Sequence, residues 1–200
     1  MIRDITKRYY SDNSQEFFDS TVIADVSPLY EGFIKHIPDT AHILDLGCGS
    51  GRDTKAFLDR GYLVDAIDGS KELCELASKY TGIEVKCQDF ASIDYTARYD
   101  AIWACASLLH IPLQQLPELF NKLCDSLRPE GIIYASFKYG DFEGERDGRF
   151  FLDMQSEKFH TIMDLVPRLE VIEEWESEDV RRGNLVHWYN AIVRKRRELI

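Results

Sequence analysis

One stretch of the chain concentrates residues whose types and spacing suit chemistry: Asp45-Leu46-Gly47-Cys48-Gly49-Ser50-Gly51, followed by Arg52. Glycines so placed let the backbone turn tightly and let a ligand approach with no Cβ in the way. A dinucleotide fingerprint needs Gly-x-Gly-x-x-Gly, and its third glycine would fall where Arg52 stands. A P-loop needs Gly-Lys-Ser or Gly-Lys-Thr after the turn, and neither follows here. A carboxylate just ahead of a helix N-terminus also opposes a phosphate. Asp45 therefore favours a ligand carrying positive charge, and Arg52 suits a carboxylate on that same ligand.

Two more acids fall in register with this loop. Asp68 lies about 20 residues past the first glycine, the usual place for a carboxylate that accepts hydrogen bonds from ribose hydroxyls. Asp89 suits an adenine amine, with Phe90 against the ring. Each acid taken singly also fits a solvated turn or a helix cap. Their order at successive strand ends favours a ligand site, because open parallel sheets bind there. S-adenosylmethionine combines the ammonium, sulfonium, carboxylate, ribose and adenine that this set would meet.

Further along, His110 is the residue to test as a base, since an imidazole titrates near neutrality; packing before Pro112 explains it equally. Lys138, Arg146 and Arg149 stand close together and suit an acceptor bearing a carboxylate or another oxyanion. With Glu143, Glu145 and Asp147 among them they also fit a self-neutralising loop. Trp175 and Trp188 suit either an aromatic pocket or the core.

These residues need a scaffold of alternating strands and helices. The first strand is expected at residues 42–46, and a helix over 52–60 ends at Gly61. A second strand spans 62–67, and Ser70 caps a helix running to about 80. Short and central strands follow at 83–87 and 99–106, then a helix at 112–126. Residues 128–131 break the chain ahead of a fifth strand at 132–137. Residues 138–149, charged and glycine-bearing, read as a loop. A helix at 156–165 and two strands at 169–176 and 186–194, joined through 177–185, suit an antiparallel end to the sheet. Ser27-Pro28 starts a helix that reaches about residue 35.

Composition narrows the class. The chain has 200 residues, 44% of them hydrophobic, enough for one core. The five cysteines are odd in number and include no Cys-x-x-Cys pair, which argues against a disulfide framework or a zinc site; no metal is expected. No apolar run has the length of a signal peptide or of a membrane span, so a cytoplasmic protein with no membrane partner is expected. A net charge of -11 repels nucleic acid, and the basic run at residues 194–197 fits a solvated chain end. A monomer or weak homodimer is the expected state.

Asp45 to Gly51, Asp68, Asp89 and Leu127-Arg128-Pro129-Glu130-Gly131 together resemble the class I S-adenosylmethionine-dependent methyltransferase superfamily. Gly51-Arg52-Asp53, residues 103–110, residues 136–140 and Asp179, Arg181, Trp188 and Asn190 resemble its tellurite-resistance-like subgroup. The resemblance implies an α/β, Rossmann-like three-layer sandwich with a seven-stranded sheet in order 3-2-1-4-5-7-6, strand 7 antiparallel. It implies a single domain, with residues 1–38 a helical lid and residues 39–200 the core. It implies S-adenosylmethionine as cofactor and S-adenosylhomocysteine as product, held by Tyr10, Asp45, Gly47, Cys48, Gly49, Arg52, Asp53, Asp68, Gly69, Ser70, Asp89, Phe90, Ala106 and Leu108. Tyr9 and Tyr10 also fit packing on an amphipathic helix. The implied acceptor is a small molecule, in reach of Lys138, Arg146, Arg149 and Trp188, with His110 as the catalytic candidate.

DNA is disfavoured as acceptor. Base-flipping amino-methyltransferases carry an Asn or Asp with Pro-Pro after the fourth strand, and here that place reads Ala106-Ser107-Leu108-Leu109. Cys105 follows Ala104, so the Pro-Cys nucleophile of pyrimidine carbon methylation is missing too. Two other classes stay open at this level: a binding protein that senses the cofactor without catalysis, and a nicotinamide-dependent oxidoreductase, which Asp45 and Arg52 disfavour.

Overall fold

The computed structural model describes residues 2–180 and 186–197. Arg181 and the end of the 177–185 connection lie outside the described residues. Three helices come first: α1 (Ile2–Asp12), α2 (Ser14–Thr21) and α3 (Ser27–Ile34), the last with Pro28 in its first turn. Proline's fixed φ fits that position and its missing N–H is not needed there. Strand β1 (His42–Leu46) then leads through the glycine loop into α4 (Arg52–Asp59), and β2 (Leu63–Asp68) into α5 (Lys71–Thr81). The order continues through β3 (Val85–Cys87), β4 (Tyr99–Ala104), α6 (Leu116–Ser126) and β5 (Leu127–Lys138). It ends with β6 (Glu143–Arg146), β7 (Arg149–Leu152), α7 (Ser156–Asp164), β8 (Leu169–Glu178) and β9 (His187–Lys195).

Seven strands form one sheet in the order β3-β2-β1-β4-β5-β9-β8, and β9 runs antiparallel to both neighbours. With the β6–β7 pair set aside, this is the 3-2-1-4-5-7-6 order expected from the sequence. The central strands are buried on both faces, as parallel strands covered by helices must be. Alternate residues feed two cores. Leu44, Leu46, Ile102, Ala104, Ile133 and Ala135 pack with Phe120 and Leu123 of α6 and Phe159 of α7. Ile43, Ala101, Trp103, Ile132 and Tyr134 pack with Tyr30 and Phe33 of α3 and Phe57 of α4.

Residues 138–149 are not the loop that their charge suggests. Lys138 ends β5, and β6 pairs with β7 as an antiparallel hairpin from Glu143 opposite Leu152 to Arg146 opposite Arg149. Its turn is Asp147-Gly148, with φ of 53° and 73°. Two successive positive φ values match the right-handed twist of a tight hairpin, and Asp-Gly supplies them at low strain.

Three boundaries also move. The helix expected at 112–126 begins at Leu116, behind a single 3-10 turn at Leu113–Gln115. The break at 128–131 lies inside β5 as a bulge, where Leu127 faces Tyr99 but Ile132 faces Ala101, with Glu130 at φ 63°. Strand β4 stops at Ala104, two residues ahead of Ala106, whose left-handed φ of 52° is incompatible with extended strand. Among the described residues no helix is long and apolar enough to cross a membrane, and no cluster of His, Cys, Asp or Glu could hold a metal ion.

Candidate functional site

At the carboxyl ends of β1, β2, β4 and β5 lies a cavity of about 340 Å³. Its floor is the glycine loop and its far wall includes Ser136, Asn190 and Trp188, while Thr6, Lys7, Tyr10 and Phe17 of the first two helices roof it. The structure brings onto this wall Tyr10, Gly47, Cys48, Gly49, Arg52, Asp53, Asp68, Gly69, Ser70, Asp89, Phe90, Ala106, His110, Lys138, Arg149 and Trp188. Asp45, Leu108 and Arg146 are not among the lining residues.

The loop owes its shape to crowding. An alanine Cβ at Gly47 would stand 2.6 Å from Ser107 Cβ, and one at Gly49 would stand 3.0 Å from the Phe17 ring. Both glycines have positive φ, 78° and 54°. Asp68 secures the loop from the next strand, its two carboxylate oxygens accepting the N–H groups of Gly49 and Ser70 at 2.9 Å each. Burial nevertheless holds the Asp68 carboxyl above its ordinary range, against those backbone bonds. Ser70 caps α5 by accepting the Leu73 N–H.

Asp45 departs from its expected place beside a ligand's positive charge. It is 2% exposed and sits behind the loop, where it accepts the Thr54 hydroxyl at 2.5 Å. Burial, then the nearby Asp53 charge, raises its carboxyl well above the usual carboxylate range. Leu108 is fully buried in the core beneath the wall. Arg52 does reach the cavity, with its guanidinium fixed on Asp53 through Nε at 2.6 Å and Nη2 at 3.0 Å. Asp53 also accepts the Tyr30 hydroxyl at 2.6 Å and the Trp103 Nε1–H at 2.8 Å. Burial alone would raise the Asp53 carboxyl; the Arg52 charge and hydrogen bonds outweigh it and hold the group ionised.

His110 is committed at both nitrogens. Nδ1 lies 2.7 Å from the Phe150 carbonyl, so Nδ1 carries the hydrogen, and Nε2 accepts the Tyr10 hydroxyl at 2.8 Å. Burial pushes its pKa down to about 4, so the ring is neutral near pH 7. The roof is fastened by the same hairpin: the Phe150 N–H donates to Thr6 Oγ1 at 3.0 Å, and the Arg149 guanidinium covers the Tyr9 ring at 4.2 Å. Lys7 forms an ion pair with Asp89 across the cavity mouth. Arg146 turns away from the cavity to the buried Asp153, 3.0 Å between Nη2 and Oδ1. Trp175, partly buried, packs against Tyr134 at the margin of the core, ring centroids 6.0 Å apart, so of these two tryptophans Trp188 is the one that lines the cavity.

Sequence reasoning missed Thr6, Lys7, Phe17 and Phe151 as cavity residues. Asp147-Gly148 between aromatic and alternating segments was the hairpin signal that would have brought Phe151 into view.

A family model described as a methyltransferase domain matches residues 43–131. The ubiquinone biosynthesis O-methyltransferase of Coxiella burnetii is 31% identical over 102 residues, which cover 48% of this chain and 42% of that protein. The N-terminal Xaa-Pro-Lys N-methyltransferase 1 of Danio rerio is 35% identical over 104 residues, 47% of this chain and 46% of that protein. The chain thus matches less than half the length of these relatives. In fold it is similar to the Burkholderia thailandensis 1,6-didemethyltoxoflavin-N1-methyltransferase, solved with 1,6-didemethyltoxoflavin and S-adenosylhomocysteine bound: TM-score 0.75, 19% identity, 98% of this chain and 89% of that one covered. A methyltransferase of Methanosarcina mazei aligns with TM-score 0.74 at 18% identity, covering 87% of this chain and 100% of that one.

Proposed function

We propose that the chain is a class I S-adenosylmethionine-dependent methyltransferase and that it transfers the methyl group of S-adenosylmethionine to a small-molecule acceptor in the cavity at the strand ends, a reading supported by the methyltransferase-domain match over residues 43–131 and by the shared fold. The observation that carries the reading is the convergence on one cavity of a glycine loop too crowded for any Cβ with the acids that end β2 and follow β3. Gly47, Cys48 and Gly49 offer backbone to the cofactor, Asp68 and Gly69 its ribose hydroxyls, and Asp89 with Phe90 its adenine. Ser70 holds the Asp68 turn. Arg52, steadied by Asp53, suits the methionine carboxylate, and Ala106 and Tyr10 close on the sulfur side. Asp45 then acts through the loop it supports, and Leu108 from beneath the wall. Helices α1 and α2 serve as the cavity's roof, whereas α3, expected to belong to the same lid, packs into the core through Tyr30 and Phe33.

Bound there, the sulfonium supplies a methyl electrophile for in-line displacement. The protein's own contribution is orientation, worth about 7 kcal/mol or more in favourable cases, and exclusion of water beneath the α1–α2 roof. Proton removal falls to the Tyr10–His110 pair: the neutral Nε2 of His110 can take the Tyr10 proton as Tyr10 takes one from the acceptor. An acceptor with negative charge suits the Lys138 and Arg149 end, with Trp188 beside it.

Calorimetry with S-adenosylhomocysteine and, separately, NADH tests the cofactor assignment. Binding of S-adenosylhomocysteine alone is the expected result, and binding of NADH alone would refute it. Incubation with methyl-labelled cofactor and a small-metabolite extract should move label into the low-molecular-weight fraction. Cofactor binding with no transfer would make the protein a sensor instead.

A further inference from the structure

The hairpin end of the cavity gathers three cations around one ring, and two of them have no ion-pair partner among the described residues. Lys138 Nζ and the guanidinium carbons of Arg146 and Arg149 stand 4.3, 4.8 and 5.0 Å from the centroid of one ring, Phe151. Asp153 answers Arg146. Among the described residues no carboxylate lies within ion-pair distance of Lys138 or Arg149. The Arg149 guanidinium is instead flanked by aromatic rings, 4.2 Å from the Tyr9 centroid and 5.7 Å from that of Tyr10. Its Nε is buried with no hydrogen-bond acceptor.

The acids of this segment form no ion pair with Lys138 or Arg149 among the described residues. Glu143 accepts the Leu113 N–H at 3.0 Å, and Glu145 and Asp147 are exposed on the outer side of the hairpin. Like charges this close in a partly apolar wall repel, and a buried donor without an acceptor is destabilising. Burial and the charges of Arg146 and Arg149 pull the Lys138 pKa below the ordinary lysine range, outweighing the opposing charges of Asp153 and Asp147. One anion would relieve both the repulsion and the unmet donor. Glu178 and Asp179 also line the cavity, so the favourable place for negative charge is confined to the Lys138 and Arg149 side.

We propose that Lys138 and Arg149 form the acceptor-recognition cradle: they hold an oxyanion, a carboxylate or a phosphate, carried by the methyl acceptor, and so decide which small molecules are methylated. This rests on the methyl-transfer reading. His110 lies 5.1 Å from the Phe151 centroid, so an acceptor anchored here presents its body to the Tyr10–His110 pair.

The test titrates sodium benzoate and, separately, inorganic phosphate into protein saturated with S-adenosylhomocysteine, for wild type, Lys138→Met, Arg149→Gln and Arg149→Lys. At least one probe should bind wild type, more weakly as salt rises. Lys138→Met and Arg149→Gln should each weaken it about tenfold or more, the loss of one charge-assisted hydrogen bond, and Arg149→Lys should recover part of that. Benzoate binding alone assigns an organic acid, phosphate binding alone a phosphate ester, and either supports the cradle. No binding of either probe at tens of millimolar, or binding unchanged in both charge-removing variants, overturns it. S-adenosylhomocysteine affinity in the same samples keeps the two readings apart: its loss in wild type defeats the cofactor assignment, and its retention in the variants shows that they are folded.

Discussion

Replacing Gly47 by alanine and, in parallel, Gly61 by alanine separates backbone strain from crowding in the cavity wall. Their φ values are alike, 78° and 89°, so each alanine costs about 1–2 kcal/mol for a left-handed backbone. Around Gly61 nothing lies within 4 Å of the added Cβ, and the backbone cost should be the whole effect. At Gly47 the new carbon would stand 2.6 Å from Ser107 Cβ and 3.0 Å from Phe90 Cζ. Overpacking of that kind adds about 1–3 kcal/mol, for a total of about 2–5 kcal/mol. At about 2–4 °C per kcal/mol for a chain of this size, Gly61→Ala should lower the melting temperature by roughly 2–8 °C and Gly47→Ala by clearly more. Urea unfolding measures the stabilities, and calorimetry with S-adenosylhomocysteine reads the site. Gly47→Ala should weaken that ligand by about tenfold or more, since Ser107 and Phe90 must shift, while Gly61→Ala leaves it unchanged. Equal stability losses, or full affinity in Gly47→Ala, would refute the crowding argument.

Three further outcomes follow from the buried charges. The raised carboxyl of Asp45 means that the folded protein keeps a proton which the unfolded chain releases, so stability should fall as pH rises above the ordinary carboxylate range. Asp45→Asn should flatten that decline in urea midpoints between about pH 5 and pH 8; a slope identical to wild type would contradict it. His110 has the opposite sign: its pKa of about 4 lies below the unfolded value of about 6.5, so its share of stability is full above that window and is lost as pH falls through it. Ring NMR should show no His110 titration above pH 5, and a midpoint near 6.5 would rule the assignment out. Asp53→Ala removes the acceptor of four hydrogen bonds and strands the Arg52 charge, which should cost about 3–5 kcal/mol in urea unfolding. A loss below about 1 kcal/mol would show that Arg52 finds water instead.

The parallel core was legible because its signals are local and redundant. Apolar runs such as Tyr99 to Ala104, glycines at helix ends and Ser70 as a cap each follow from short-range chemistry. Tertiary placement was not. Asp45 reads as a ligand contact from its spacing, yet whether a carboxylate turns toward the cavity or behind the loop depends on Thr54, nine positions on, and sequence spacing carries no such information. Arg146 and Arg149 look equivalent in the sequence. Opposite each other in a hairpin register, one reaches Asp153 and the other the cavity. The hairpin itself was hidden because its outward residues are charged, so composition outweighed the Asp-Gly turn signal.

The bond from Phe150 to Thr6 joins residues 144 positions apart. Closing so long a span is entropically slow, and the first helix lacks the part of its docking surface that meets Thr6 and Tyr9 until the hairpin exists. During synthesis the sheet's first four strands would emerge and pair while the pocket above them still stood open to solvent. Full enclosure of a ligand therefore has to await the late-made part of the chain, and a polypeptide stopped before residue 149 would keep the glycine turn while losing the hairpin that fastens its cover.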